Sequence, residues 1–221
     1  INNDDRGLKA GAYKHFGVKH GLSRQDGRTL AETYYPLRDD SSQVLGYKVR
    51  IHNPKKFFAL GSTRGSVPFG WKEALETGGY SLYITEGEED AVAVYTAWMR
   101  EKKQKVAVIS LKNGTSSAVK TLQPVLKDIM DKFKQVVLCP DNDAAGDTGV
   151  QDIRALFPSD YVVKVAKYTE KDANDMIKAG KESELVRSCY QAGVPLSSAI
   201  KEFTKEDFEV VKKAPEFGLS F

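Results

Sequence analysis

The chain lacks the residues that build metal fingers and disulfide scaffolds. Only two cysteines, Cys139 and Cys189, occur in 221 residues, and they form no Cys-x-x-Cys pair. That excludes a zinc ribbon and a disulfide-stapled core in this sequence. Cys139 lies inside an apolar run and reads as a small core residue in a reducing compartment. No apolar stretch is long enough to span a bilayer, and no secretory leader is visible. No Gly-x-x-x-x-Gly-Lys-Ser/Thr loop is present, so these residues carry no P-loop motor. Internal repeats and low-complexity tracts are absent too. The first residue is Ile1 rather than Met, which points to a piece of a longer protein.

What is present is a globular composition, with 41% hydrophobic and 29% charged residues and a formal net charge of +3. That suffices for one large domain or two small ones. The charge is unevenly spread. Residues 1–78 hold 13 Lys+Arg against 8 Asp+Glu, whereas residues 79–190 hold 16 against 17. A basic front part before an acidic one suits a polyanionic partner, although ordinary surface charge would look the same.

Periodicity divides the chain similarly. Residues 8–22 read as a short helix and a turn. Thr29–Leu37, Val44–Ile51 and Lys56–Leu60 read as strands separated by Asp39-Asp40-Ser41-Ser42 and Asn53-Pro54. A short helix over Trp71–Thr77 and the pair Gly78-Gly79 close this small, basic, mainly antiparallel α+β unit, 1–78. From Gly79 strands and helices alternate. Strands are expected at Ser81–Thr85, Val106–Leu111, Val136–Cys139 and Tyr161–Ala166. Helices are expected at Glu88–Lys102, Ser116–Phe133 (perturbed by Pro124), Ala144–Leu156 and Ala173–Ala192. Such alternation predicts an α/β unit, 79–192, with a parallel sheet between helices. Residues 193–221 read as a charged linker or tail.

Two of these strands end in acids. Ser81–Thr85 runs into Glu86-Gly87-Glu88-Glu89-Asp90, and Val136–Cys139 runs into Pro140-Asp141-Asn142-Asp143. Acids there lie at the carboxyl edge of a parallel sheet, where open α/β sheets bind ligands. Glu86, Asp141 and Asp143 gathered at one edge would repel one another, and a hard divalent cation relieves that repulsion. Asp90 returns to the same side one helical turn after Glu86. Residues i and i+2 of an extended segment point the same way, so Asp141 and Asp143 can chelate together. Helix capping explains Asp90 and Asp143 equally well. Asp172, in Lys171-Asp172-Ala173-Asn174-Asp175, follows the last strand and carries the same two readings.

The basic unit offers a second constellation. Lys48 and Arg50 alternate with Tyr47 and Val49 and so share one strand face. Lys55, Lys56, Arg64 and Lys72 follow nearby. Arg50 can hold a phosphate bidentately while the lysines act as point charges. Tyr34, Tyr35, His52, Phe57 and Phe58 offer stacking surfaces or simply core. Asn113-Gly114-Thr115-Ser116 joins a strand to a helix, as a phosphate-binding turn or an ordinary capped one.

Taken together, these residues resemble the TOPRIM fold of bacterial-type primases, topoisomerases and some nucleases. The family glutamate matches Glu86, and its Asp-x-Asp matches Asp141 and Asp143. Tyr47-Lys48-Val49-Arg50, Lys55-Lys56-Phe57-Phe58, the segment from Ser110 to Ala118, and Lys171-Asp172-Ala173-Asn174 occur in the order seen in bacteriophage primase–helicases and their organellar relatives. The resemblance covers roughly residues 8–195. It implies a primase, a DNA-dependent RNA polymerase making short primers on single-stranded DNA from ribonucleoside triphosphates. Implied metal ligands for Mg2+ or Mn2+ are Glu86, Asp141, Asp143, Asp172 and Asp90, with Lys48 joining Glu86, Asp141 and Asp143 in catalysis. Implied nucleotide or DNA contacts are Lys48, Arg50, Lys55, Lys56, Arg64, Asn113, Gly114 and Ser116. The family's zinc module and helicase motor are both missing from this sequence. The remaining expectations are a helicase domain in the same longer chain, a monomeric fragment, no membrane, and the cytoplasm of a phage-infected host or else an organellar matrix. A TOPRIM nuclease or topoisomerase-like strand breaker, and a non-catalytic single-stranded DNA-binding module, remain alternatives.

Overall fold

The computed structural model describes residues 1–194. The expected linker at 193–221 lies almost wholly outside the described residues. Two four-stranded sheets organise the described residues. The first is an antiparallel meander of β1 (Lys19–Leu22), β2 (Leu30–Arg38), β3 (Val44–Ile51) and β4 (Lys56–Gly61), paired in that order. It is preceded by α1 (Ala10–His15) and followed by α2 (Trp71–Thr77).

The second sheet is all parallel. Its strands β5 (Ser81–Thr85), β6 (Ala107–Ser110), β7 (Gln135–Cys139) and β8 (Val162–Val165) stand in the order β6-β5-β7-β8. Leu82 and Ile84 of β5 alternate with Tyr83, so one strand feeds two apolar layers. On one face lie α1, α3 (Glu88–Glu101), α7 (Ala173–Lys178) and α8 (Glu182–Tyr190). On the other lie α2, α4 (Ala118–Leu122), α5 (Leu126–Lys132) and α6 (Ala144–Arg154). The α/β unit with helices on both faces is therefore as expected, with the antiparallel sheet before it.

Three local differences from the sequence reading have simple causes. The strand Lys19–Leu22 lies in a segment read as a turn. It has no apolar alternation of its own and forms as the antiparallel partner of β2. The single helix expected at Ser116–Phe133 is broken into α4, a 3-10 turn at Gln123–Val125 and α5, because Pro124 donates no amide and cannot continue an α-helix. The helix expected over Ala173–Ala192 splits at Gly180, whose φ of 69° ends α7.

The two sheets are joined by the first turn of α3. The carboxylate of Glu89, buried, accepts the Tyr13 hydroxyl at 2.7 Å and also the Tyr35 hydroxyl. Glu88, equally buried, takes the Lys48 ammonium at 2.8 and 3.0 Å. Arg6 donates to the Asn174 side chain at 2.7 Å, tying the amino-terminal segment to α7. Leu8, Tyr13, Phe16, Tyr35 and Phe69 then continue the apolar layer begun by α3.

Glu89→Leu strands two buried tyrosine hydroxyls. It should cost roughly 2–5 kcal/mol of unfolding free energy, and Glu89→Gln clearly less; urea titration of the pair measures the difference. Burial also depresses two histidines. His15, stacked on Tyr95 at 4.1 Å, and His20 are both lowered to about 4, mainly by desolvation. The native protein keeps them neutral, while the unfolded chain protonates near pH 6.5. Their contribution is therefore present above that pH and lost as pH falls toward 4. The loss is on the order of 1–2 kcal/mol each, discounted for their half-buried setting. His15→Phe should flatten the fall in melting temperature between pH 6.5 and 4.

Candidate metal centre and basic sheet

Strand order fixes where ligands enter. The chain leaves β5 toward β6 on one side and leaves β7 toward β8 on the other, so the loops diverge between β5 and β7. A crevice opens at such a switch point, at the carboxyl ends of the strands. Glu86 follows β5 and Asp141 follows β7 at that crevice. The Asp141 amide donates to Glu86 Oε1 at 3.0 Å. Close approach here depends on Gly146, since a Cβ at that position would lie 2.1 Å from the Asp141 carbonyl oxygen and 3.1 Å from Glu86 Oε1.

Asp90, Asp141 and Asp172 converge beside this pair, each offering a carboxylate oxygen within 4.8 Å of the others. The first turn of α3 supplies Asp90, which accepts the Asn174 amide at 3.0 Å. Asp172 caps α7 through the Asp175 amide at 2.7 Å and joins the group with its carboxylate. Capping and clustering, alternatives in the sequence, coexist here. Asp143 is placed differently. Its side chain caps α6 through the amides of Ala145 and Gly146 at 3.1 and 3.0 Å. The Asp143 amide donates to the Asp141 carbonyl at 2.9 Å, so a tight turn rather than an extended segment separates the two acids. Asp143 thus stands outside the three-acid group, although its charge still reaches Glu86.

The electrostatics are those of crowded, partly dried carboxylates. Burial, then the neighbouring Asp172, holds Asp90 well above the usual carboxylate range, against the Asn174 amide. Burial and Asp172 likewise raise Asp141, while Lys171, 4.0 Å away, opposes them. Glu86 is raised by burial and by Asp141 and Asp143, with the Asp141 amide opposing. Hard oxygen donors, crowded and short of cations, make a set suited to a divalent metal ion.

The basic strand meets the same edge from the β6 side. Lys48 bonds Glu88 and also the Lys112 carbonyl oxygen at 2.8 Å, just past the end of β6. Phe57, opposite Arg50 in the β3–β4 register, stands half-exposed with three cations over its ring. Lys48 Nζ, the Arg50 guanidinium carbon and Lys55 Nζ lie 5.4, 5.7 and 5.8 Å from its centroid. Arg50 is buried and its Nε has no hydrogen-bond partner among the described residues. Lys56 and Arg64 are exposed and are not among the cations over the Phe57 ring. In the loop after β6, Ser117 Oγ accepts the Asn113 amide at 3.1 Å, and Ser116 donates to the Asn113 carbonyl at 3.3 Å. Gly114, at φ 68°, allows that turn beside Glu86.

Sequence reasoning missed Tyr13, Tyr35, Glu88 and Glu89 as the residues that seat the basic sheet against the acidic edge. The acids were visible in the motif, but their partners lie 40–76 residues away in sequence.

A divalent cation should raise the melting temperature of this protein by linkage. Asp90→Asn keeps an acceptor for the Asn174 amide and removes one repelling charge. It should raise the melting temperature without metal and shrink the increment given by Mg2+ or Mn2+; differential scanning calorimetry reads both.

A family description, Toprim-like, matches residues 83–177, which span both acidic strand ends. The chain is 30% identical over 191 residues to the DNA helicase/primase of Enterobacteria phage T3, covering 84% of this chain and 32% of that protein. It thus spans about a third of that relative's length. Among solved structures, the primase fragment of the bacteriophage T7 primase-helicase superposes with a TM-score of 0.71 at 27% identity, over 85% of this chain and 73% of that one. T7 primase domains, solved with the phage's lagging-strand DNA polymerase and an RNA/DNA hybrid, give 0.74 at 28% identity, over 88% of this chain and 92% of that one. The RNA polymerase domain of a Mycobacterium tuberculosis primase shares the fold at 0.54 and 17% identity, over 86% and 63%. With its acidic crevice and strand order, this chain contains a Toprim-like domain and is similar to the primase portion of the bacteriophage primase–helicases.

Proposed function

We propose that this chain is the polymerase portion of a primase, joining ribonucleotides on a single-stranded DNA template with Mg2+ or Mn2+ as cofactor. The observation that carries the reading is the meeting of three carboxylates and a cation-rich sheet at one sheet edge. Asp90, Asp141 and Asp172 would hold the metal ion, with Glu86 and Asp143 beside them. The ion would supply charge neutralisation at the reacting phosphate and acidify the attacking hydroxyl.

The protein's own part is placement. Lys48, fixed by Glu88 and the Lys112 carbonyl, presents its charge at the edge where a triphosphate would lie. Arg50, whose buried Nε has no hydrogen-bond partner among the described residues, and Lys55 add further charge around Phe57, whose exposed ring suits a base. Glu86 receives one amide on Oε1, and its other oxygen faces the Asn113–Ser116 loop. Such an arrangement acts by position and charge, with no covalent nucleophile required.

Residues 1–78 and 79–192 would then be a basic subdomain and a catalytic subdomain of one longer primase–helicase, acting in the cytoplasm of an infected host. No helix among the described residues is long and apolar enough to cross a membrane.

Primer synthesis tests this directly, with single-stranded DNA, four ribonucleotides (one labelled) and Mg2+ or Mn2+. Short labelled RNA should appear, and Asp141→Ala/Asp143→Ala should reduce it at least 100-fold. Product of equal yield from that variant would remove the acidic crevice from the chemistry.

A further inference from the structure

The opposite end of the parallel sheet carries a feature that the acidic crevice does not use. A cavity of about 180 Å³ opens where β5 and β6 begin, lined by Tyr80, Tyr83, Trp98, Gln104, Lys105 and Tyr190 among others. Trp98 lies between Tyr83 and Tyr190, with ring centroids 5.5 and 4.8 Å away. It is only 3% exposed, and its indole Nε1 is buried without a hydrogen-bond partner. A buried donor left unpaired is costly, and a ligand with an acceptor would relieve it. Tyr80 and Tyr190 at the same cavity are by contrast 65% and 59% exposed, so both rings are open to a ligand even though Tyr190 packs on Trp98. Gly78 and Gly79 add no side chain to the mouth, and a Cβ at either would meet nothing within 4 Å.

Charge surrounds this aromatic pocket. Lys102, Lys103 and Lys105 follow α3, and the amide of exposed Lys134 donates to the Tyr80 carbonyl at 2.9 Å across the sheet end. None of these four lysines is in an ion pair among the described residues. Stacking rings, a buried donor and several cations are the elements of a single-stranded nucleic-acid site. We infer that this cavity takes a nucleobase of single-stranded nucleic acid, stacked against Tyr80 and Tyr190 and accepting from the Trp98 indole. Adjacent backbone phosphates then lie along the lysines. A single phosphate does not need cations on both sides of the sheet end, so a strand rather than a free mononucleotide is the occupant. The site is independent of the catalytic reading, because it lies at the far end of the strands and needs no metal.

Photocrosslinking with a 4-thiothymidine-substituted single-stranded 12-mer, without metal, locates the contact. The crosslinked peptides should include Tyr80, Trp98 or Tyr190. Fluorescence anisotropy on the same 12-mer should show Tyr80→Ala and Tyr190→Ala each weakening binding about tenfold, and Lys105→Ala weakening it with a shallower salt dependence. Both tyrosines are exposed, so circular dichroism should show an unchanged fold. Crosslinks confined to other surfaces, with unaltered affinity in both tyrosine variants, overturn the proposal. Thymidine monophosphate binding as tightly as the 12-mer overturns the assignment to a strand. An acidic peptide that binds the cavity while the 12-mer does not compete with it makes this a protein-docking site and overturns the proposal as well.

Discussion

The first turn of α3 is the constraint on which the rest depends. That turn and the two residues before it, Glu86 to Asp90, divide between two tasks. Glu86 and Asp90 face the crevice with Asp141 and Asp172, where like charges crowd in a half-dry setting. Glu88 and Glu89 are buried against Lys48, Tyr13 and Tyr35 and carry the basic sheet. Buried carboxylates are costly unless every lone pair finds a donor. These two find an ammonium and two phenols from the other sheet, so the acidic motif and the position of Lys48 are set by one helical turn.

That arrangement explains the charge asymmetry of the chain. A cluster of carboxylates repels polyanions until a cation neutralises it, and cations on β3 and β4 would offset that repulsion for the proposed polyanionic substrate. Bringing the two together needs a rigid join, because a displaced Lys48 would lose its place beside the loop after β6. The join is polar rather than only apolar, which fixes orientation as well as proximity.

The parallel strands were legible because each is a continuous apolar run ending in acid or polar residues. β3, α2 and β5 emerge with the boundaries that their patterning and flanking turn residues or glycines give. The carboxyl-edge position of Glu86 and Asp141 followed from that alone. Other features depend on distant partners and left no local mark. Lys19–Leu22 becomes a strand only because β2 is beside it. Asp141 and Asp143 read as a same-facing pair, but a turn of the backbone at Asn142 sends Asp143 to the cap of α6. Asp172 could be read as cap or ligand, and one side chain serves in both positions. The phenol pair on Glu89 joins residues 54 and 76 positions apart, a coincidence that only the folded chain creates.

Crystals soaked in Mn2+ and measured at the manganese absorption edge test the central claim most directly. An anomalous peak is expected among the carboxylates of Asp90, Asp141 and Asp172, with Glu86 beside it. An ordered ion elsewhere on the protein, with that cluster empty at saturating Mn2+, would contradict it.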